Sequence, residues 1–239
     1  MTLNGKRVIV LGGTAGIGLA VARAAAENGA DVIVASSRRS SVDKALTTLP
    51  STVEGTALDL RDEMAIGEFF AKTGEFDHLV FTAGEPLSPG ALAETEIATA
   101  REFFEVRYWG ALTAVKNAAG RVRPGGSITL SSGGTAVRPM SGWTVPTSVC
   151  GALEGLTRAL AVELAPVRVN AVRPGLVRTD LWQNFPEATR AELFAASAQS
   201  LLVGRVGTAE DIAASYLYLM DSGYTTGSIV TIDGGHLLV

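Results

Sequence analysis

Three groups of residues in this chain have the types and spacing to do chemistry. The first is Gly12-x3-Gly16-x-Gly18, within Leu11-Gly12-Gly13-Thr14-Ala15-Gly16-Ile17-Gly18. It follows the apolar run Val8-Ile9-Val10 and precedes the alanine-rich segment Leu19 to Glu27. Strand, glycine loop and helix in that order let the backbone turn sharply and approach a phosphate, which the amide end of the helix then favours. Gly12, Thr14, Ala15, Gly16, Ile17 and Gly18 are the candidate contacts, and a plain tight turn is the alternative. The spacing differs from the common G-x-G-x-x-G dinucleotide fingerprint.

The second group closes the next apolar run, Asp31-Val32-Ile33-Val34-Ala35, with Ser36-Ser37-Arg38-Arg39. An NAD site places a carboxylate on the ribose hydroxyls about twenty residues after the loop. Asp31 stands at the wrong end of the strand for that task. Two hydroxyls and two guanidinium groups at the right end suit a 2′-phosphate, which arginine grips with a planar fork. NADP(H) is therefore expected over NAD(H), with solvated surface charge as the bland reading. Further on, Asp59 is placed to accept from an adenine amino group while Leu60 covers the ring. The alternative for Asp59 is an acid at a helix N-terminus. Thr82-Ala83-Gly84 leaves room for a dinucleotide, unless Thr82 only ties strands together.

The third group is sparser. Ser131-Ser132 follows an apolar run, and Arg107 lies in Val106-Arg107-Tyr108-Trp109-Gly110. Neither is a proton relay by itself, since an arginine stays charged throughout the accessible pH range.

Positioning these groups requires a parallel sheet. Arg7–Leu11, Asp31–Ala35, Val53–Ala57, His78–Phe81, Ser127–Leu130, Val167–Val172 and Ser228–Ile232 read as seven strands, mostly apolar on both faces. Helices are expected at 16–28, 41–48, 62–73, 96–119, 145–164 and 209–220. This alternation predicts an α/β fold, a doubly wound Rossmann sheet with helices on both sides. Gly29-Ala30 is expected to end the first helix and Gly125-Gly126 to introduce the fifth strand. The segment 179–203 breaks the rhythm with Trp182, Phe185 and Phe194, and reads as a mobile substrate lid or a structural insertion. The 239 residues, 47% hydrophobic and 18% charged, fit a single domain over 1–239.

A net charge of −4 gives no reason to expect nucleic acid. One cysteine, Cys150, and two distant histidines, His78 and His236, argue against a disulfide framework and a metal site. No signal-peptide layout or long apolar span is visible, so a soluble cytoplasmic protein acting on a small molecule, with no membrane partner, is the expectation.

The motifs in order resemble the short-chain dehydrogenase/reductase family, over essentially the whole chain. The glycine loop is similar to that family's T-G-x3-G-I-G, with Leu11 in place of threonine. Phe81-Thr82-Ala83-Gly84 is similar to its N-N-A-G. Arg168-Val169-Asn170-Ala171-Val172-Arg173-Pro174-Gly175, followed by Val177 and Thr179, looks like its V-N-x-V-x-P-G segment. The resemblance implies that Pro174, Gly175, Val177 and Thr179 seat the nicotinamide. Gly204-Arg205, Thr226-Gly227 and Asp233-Gly234-Gly235 match its closing pattern. The family also implies a homo-oligomer, tetramer or dimer, through helices 96–119 and 145–164 and the C-terminal strand region.

The resemblance fails at the chemistry. The family uses a serine, a Tyr-x3-Lys pair and an asparagine on the preceding helix. The register of Gly151-Ala152-Leu153-Glu154-Gly155-Leu156-Thr157 puts Pro146 at the tyrosine position and Cys150 at the lysine position. No tyrosine occurs between Tyr108 and Tyr216, and Lys116 is the last lysine. Arg107 stands where asparagine is usual. Ser132 matches the catalytic serine better than Ser131, with Gly133-Gly134 leaving the register open by one. Ser132 is a candidate to bind a substrate oxygen, or only a loop hydrogen bond. Arg107 is a candidate to supply positive charge, or to pair with Glu102 or Glu105. Pro146 fits the first helical turn, with Thr144 as a candidate N-cap.

Cys150 and His78 read as packed structural residues. His236 is expected to reach a site only across an oligomer contact, and Trp143 to line the pocket or fill space. Three functions follow. The first is an atypical NADP(H)-dependent oxidoreductase on a carbonyl or alcohol, slowed by the roughly 10²–10⁴-fold worth of a general acid. The others are a non-catalytic NADP(H)-binding regulatory or redox-sensing protein, and a non-redox cyclase, dehydratase or isomerase.

Overall fold

The computed structural model describes residues 2–87 and 89–239. Seven parallel strands form one sheet: β1 (Arg7–Leu11), β2 (Asp31–Ser36), β3 (Glu54–Ala57), β4 (Phe76–Phe81), β5 (Val122–Ser131), β6 (Arg168–Pro174) and β7 (Ile229–Ile232). Their order is β3-β2-β1-β4-β5-β6-β7. The chain reverses direction across the sheet between β1 and β4, and ligands bind such folds at that switch point. Val8, Ile9, Val10 and Leu11 are fully buried, as are Leu79 and Val80 in β4. Burial on both faces explains why these strands read as continuous apolar runs.

The helices α1 (Gly16–Glu27), α2 (Arg39–Leu46), α3 (Glu63–Thr73), α4 (Ile97–Phe104), α5 (Ala111–Ala118), α6 (Thr144–Glu163), α7 (Glu187–Ser200) and α8 (Ala209–Asp221) flank the sheet. One core, around Phe70, Phe76, Ile128 and Leu153, fills the α3–α6 side. The other, around Val21, Val34, Tyr216 and Leu219, fills the α1–α8 side.

Three boundaries differ from the sequence expectation. Gly125-Gly126 lies inside β5 rather than before it, because the strand begins at Val122 and shifts register between Phe76 and His78. A Cβ on Gly126 would come within 2.2 Å of the Asp77 carbonyl, so glycine serves a close strand approach and not a turn. The expected helix 96–119 is broken by a π-helical turn, Glu105–Gly110. There the Glu85 carboxylate accepts the Val106 N–H at 2.8 Å, and a Cβ on Gly110 would meet the Leu60 carbonyl at 2.7 Å. Thr144 begins α6 instead of capping it, since Trp143 occupies the cap position without a side-chain cap.

No helix among the described residues is long and apolar enough to cross a membrane. None of their His, Cys, Asp and Glu side chains gather in threes around a metal position.

Candidate functional site

The carboxyl ends of β1, β4, β5 and β6 build the site. At β1, Gly12 adopts φ +88°, and a Cβ there would lie 2.5 Å from the Ala83 nitrogen. A Cβ on Gly18 would lie 2.2 Å from the Gly12 carbonyl and 2.4 Å from Thr82 Oγ1. Gly16 has φ +50°, a conformation that favours glycine, and faces Thr179. The first turn of α1 has neither a capping side chain nor an acid, so its N–H groups are left for an anion. Cβ-free backbone beside an uncapped helix start fits a dinucleotide pyrophosphate.

Around this cradle the predicted residues separate. Thr82 donates to the carbonyls of Leu11 (3.2 Å) and Gly12 (3.3 Å), so its hydroxyl ties β4 to the loop. Arg39 is paired with Asp43 at 2.8 Å, one turn along α2. Arg38 precedes that helix, exposed and with no side-chain hydrogen bond among the described residues, beside Ser36 and Ser37. Asp59 accepts the Arg61 N–H at 3.0 Å and stays exposed. Leu60 is buried in the core, so its side chain does not stand free to cover a ring.

From β6, Gly175 donates to the Ile232 carbonyl, and a Cβ there would meet Asp233 Cα at 2.7 Å. Val177 bridges Gly207, and Thr179 then folds onto Gly16. Thr14, Ala15 and Ile17 belong to the same β1–α1 corner, and Ala83, Gly84 and Pro174 to the neighbouring strand ends. The structure thus gathers the loop and the Pro174–Thr179 segment, while Arg39 and the Leu60 side chain are turned to other partners.

The third group lies beside Gly84. A Cβ on Gly84 would stand 2.6 Å from Arg107 Cζ, and Arg107 donates to the Glu85 carbonyl. Its carboxylate neighbour is Glu85, with Nε 3.8 Å from Oε2, and not Glu102 or Glu105. The guanidinium also covers the Phe103 ring at 4.7 Å. Burial pushes the Arg107 pKa down, against the opposing Glu85 charge. Cys150 faces Gly133, whose added Cβ would lie 3.1 Å from Sγ. Burial pushes the thiol pKa up despite Thr135, Arg107 and Ser132 nearby, which makes it a poor nucleophile.

Ser131 donates to the Phe81 carbonyl at 2.7 Å and shares a 2.6 Å hydrogen bond with the buried Tyr216 hydroxyl. That commits Ser131 to the core and leaves Ser132 as the serine facing α6. Ser132 Oγ lies 2.9 Å from Glu154 Oε1 and 3.3 Å from the Cys150 carbonyl. Glu154 is in turn held by Arg173 through Nε at 2.8 Å and Nη2 at 2.7 Å. The sequence reading passed over both members of this ion pair. An arginine at the end of a buried strand was the signal that could have found them.

The lid-like segment is a single turn, Asp180–Trp182, followed by α7. Trp182 donates to the Val177 carbonyl at 3.0 Å and packs on Trp143 (6.2 Å), Phe185 (5.6 Å) and Phe194 (6.2 Å). Trp143 therefore joins the start of α6 to this segment. The chain's end folds back within the same molecule, where Arg138 donates to the carbonyls of His236 (2.5 Å) and Val239. An oligomer contact is not needed to bring His236 beside the β5–α6 loop. His78 pairs with Ser127 at 2.9 Å inside the sheet, away from the site.

With this geometry in view, the family is decided by the match of residues 2–239 to the SDR-like Rossmann domain. The chain belongs to the short-chain dehydrogenase/reductase family. Among similar proteins, the short-chain dehydrogenase/reductase ucsE of Acremonium sp is 37% identical, the match covering 99% of this chain and 97% of that one. A small-chain dehydrogenase solved in complex with NADPH is 34% identical with TM-score 0.87, over 98% of this SDR and 99% of that chain. The structure of the MalC reductase/Diels-Alderase from Malbranchea aurantiaca is 32% identical with TM-score 0.92, over 99% and 98% of the two chains. The SDR fold binds nicotinamide cofactors.

Proposed function

We propose that this SDR is an NADP(H)-dependent oxidoreductase that acts on a carbonyl or alcohol without a tyrosine–lysine pair. The observation that carries the reading is the packing of Thr179 on Gly16, which brings the nicotinamide segment over the pyrophosphate loop. A site that only held adenine would have no use for that closure. The NADPH complex of the similar dehydrogenase supports the choice of cofactor, and Arg38 is the group offered to a 2′-phosphate.

The bound nicotinamide supplies or accepts the hydride, and the protein's task is to orient the reactants. Ser132 holds the substrate oxygen at the end of β5. Arg107 sets a fixed positive charge under Gly84, on the nicotinamide side of the cleft. It cannot donate a proton, because a guanidinium stays ionised. Pro146 and Cys150 offer no acid either, so water carries the proton. The substrate is a small molecule admitted beneath α7, and the functional unit is a dimer or tetramer.

A second reading is favoured by one comparison. MalC is named both a reductase and a Diels-Alderase, and a pocket without the usual proton relay suits a cyclisation driven by positioning. The deciding experiment is NADPH titration followed by deuteride transfer from 4-deuterated NADPH to a broad carbonyl panel. Label in the product supports the oxidoreductase. Tight NADPH binding with product formed and no cofactor oxidised would establish the non-redox reading instead.

A further inference from the structure

Glu154 is a carboxylate buried midway along α6, 7% exposed, at the carboxyl end of the sheet. Its partner Arg173 is the penultimate residue of β6, and each of its three guanidinium nitrogens makes a hydrogen bond. Nε and Nη2 grip Glu154 at 2.8 and 2.7 Å, and Nη1 donates to Thr231 Oγ1 at 2.9 Å. A bidentate arginine–carboxylate pair has fixed geometry as well as charge. Such a buried pair gains little stability over two apolar side chains of equal volume. Its orientation toward Ser132 gives it a use that packing does not.

A carboxylate can only accept hydrogen bonds, and so can a backbone carbonyl. Both hydrogen-bond partners of Ser132 Oγ among the described residues, Glu154 Oε1 and the Cys150 carbonyl, are therefore acceptors. The single hydroxyl hydrogen must point into the protein, and only lone pairs are left for the cleft. Burial opposes ionisation of Glu154, but the donors Arg173 and Ser132 outweigh it and hold its pKa below the usual carboxylate value. The acceptor state therefore persists at neutral pH.

We propose that the Glu154–Arg173 pair is a positioning device that fixes Ser132 as a hydrogen-bond acceptor, so that the pocket selects substrates bearing an O–H or N–H at the reacting position. The inference rests on the reading of this cleft as the substrate site. It assigns a direction to Ser132 that the resemblance to other SDR proteins does not. A ketone oxygen has no donor to offer this serine, whereas the corresponding alcohol does.

Neutron diffraction on deuterium-exchanged crystals reads the orientation directly and needs no substrate. Deuterium on the line from Ser132 Oγ to Glu154 Oε1 is expected, and deuterium directed into the cleft overturns the proposal. Matched secondary alcohols and ketones, 1-tetralol with 1-tetralone and cyclohexanol with cyclohexanone, then test selectivity on the NADP⁺-loaded protein by saturation-transfer NMR. Alcohols are expected to bind roughly two- to tenfold better, the worth of one hydrogen bond. The double substitution Glu154→Leu with Arg173→Leu removes the nearer acceptor, leaving the serine hydrogen only the Cys150 carbonyl at 3.3 Å, and should move that ratio toward the ketones. An unchanged ratio in a folded double variant overturns the proposal, and where no probe binds the deuterium position alone decides. Failure both of deuteride transfer to any carbonyl and of NADP⁺ reduction by any alcohol of the panel, with deuterium still found on the Glu154 line, refutes the redox reading and leaves this one standing.

Discussion

Gly16 and Thr179 lie against each other across the carboxyl end of the sheet, with 3.3 Å between Thr179 Cβ and the position a Cβ on Gly16 would take. They come from the first and sixth strand ends, 163 residues apart by their numbers (179 − 16). Through this contact the proposed phosphate cradle and the proposed nicotinamide segment form one surface. A change on either side should therefore be felt as a change in cofactor affinity.

Gly18 gives the sharpest form of that expectation. An alanine methyl would stand 2.2 Å from the Gly12 carbonyl and 2.4 Å from Thr82 Oγ1. Both are held in place by the Thr82 hydrogen bonds, so the loop itself must open. Gly18→Ala should lower stability by about 1–3 kcal/mol, the usual cost of overpacking, and reduce NADPH affinity by more than tenfold. Urea unfolding and NADPH fluorescence titration measure the two effects. Unchanged values in both would show that the loop yields freely.

Arg38 and Arg39 should behave differently despite being neighbours. Arg39 spends its guanidinium on Asp43, while Arg38, next to Ser36 and Ser37, has no side-chain partner among the described residues. One charge-assisted hydrogen bond is worth about 1.5–3 kcal/mol. Arg38→Ala should therefore weaken NADPH binding by roughly 10- to 150-fold and leave NADH binding unaltered. Arg39→Ala should change NADPH affinity by less than about threefold, the scale of a surface pair. Calorimetric titration of both cofactors against the two variants separates these outcomes.

His78 makes stability depend on pH. Burial in the sheet pushes its pKa from 6.5 down to about 4, with Asp77 opposing and Arg168 and Lys6 adding to the fall. Between those values the unfolded chain binds a proton that the native chain refuses, so stability rises with pH and is complete above about 6.5. Falling pH should remove about 2 kcal/mol by pH 5 and about 3 kcal/mol by pH 4 from this group alone. Asp77 and Asp211, whose pKa values are lowered, add their losses on the acid side of that window. His78→Asn should flatten the profile between pH 5 and 6.5 in urea unfolding. An unaltered slope would assign the acid loss to other groups.

The strands were legible because both faces of the sheet are covered, so that Val8–Leu11 and Val32–Ala35 stand out without any alternation to interpret. Gly125-Gly126 misled because a close strand approach and a turn both call for glycine, and only the Asp77 carbonyl opposite distinguishes them. The π-helical turn at Glu105–Gly110 was hidden for a different reason. Its cause includes Glu85, twenty-one residues upstream of the Val106 amide it accepts. Within the candidate site, the glycines were readable because backbone geometry restricts residue type at Gly12 and Gly16, whereas Thr179 was visible only through the family resemblance. Glu154 and Arg173 were not, since a charge on a helix or at a strand end reads as solvated until its partner is seen.

Arg107 has structural contacts and a proposed electrostatic role that a double-mutant cycle can part. Its Nε and Glu85 Oε2 are both buried without a hydrogen-bond partner among the described residues and stand 3.8 Å apart, while Glu85 Oε1 is held by the Val106 amide and lies 3.7 Å from Arg61. Arg107→Met should leave Glu85 as a buried carboxylate short of one cation and cost about 1–3 kcal/mol. Arg107→Met combined with Glu85→Gln removes both charges, keeps an amide oxygen for the Val106 N–H, and should recover most of that loss, because no charge is left buried alone. If the guanidinium only braces the π-helical turn, cofactor binding and turnover should recover together with stability. The proposed role under Gly84 demands another result: the double variant unfolds like the wild type, yet transfers hydride at least tenfold more slowly. Urea unfolding beside single-turnover NADPH oxidation distinguishes the two, since only the electrostatic role leaves a folded protein with a slow chemical step.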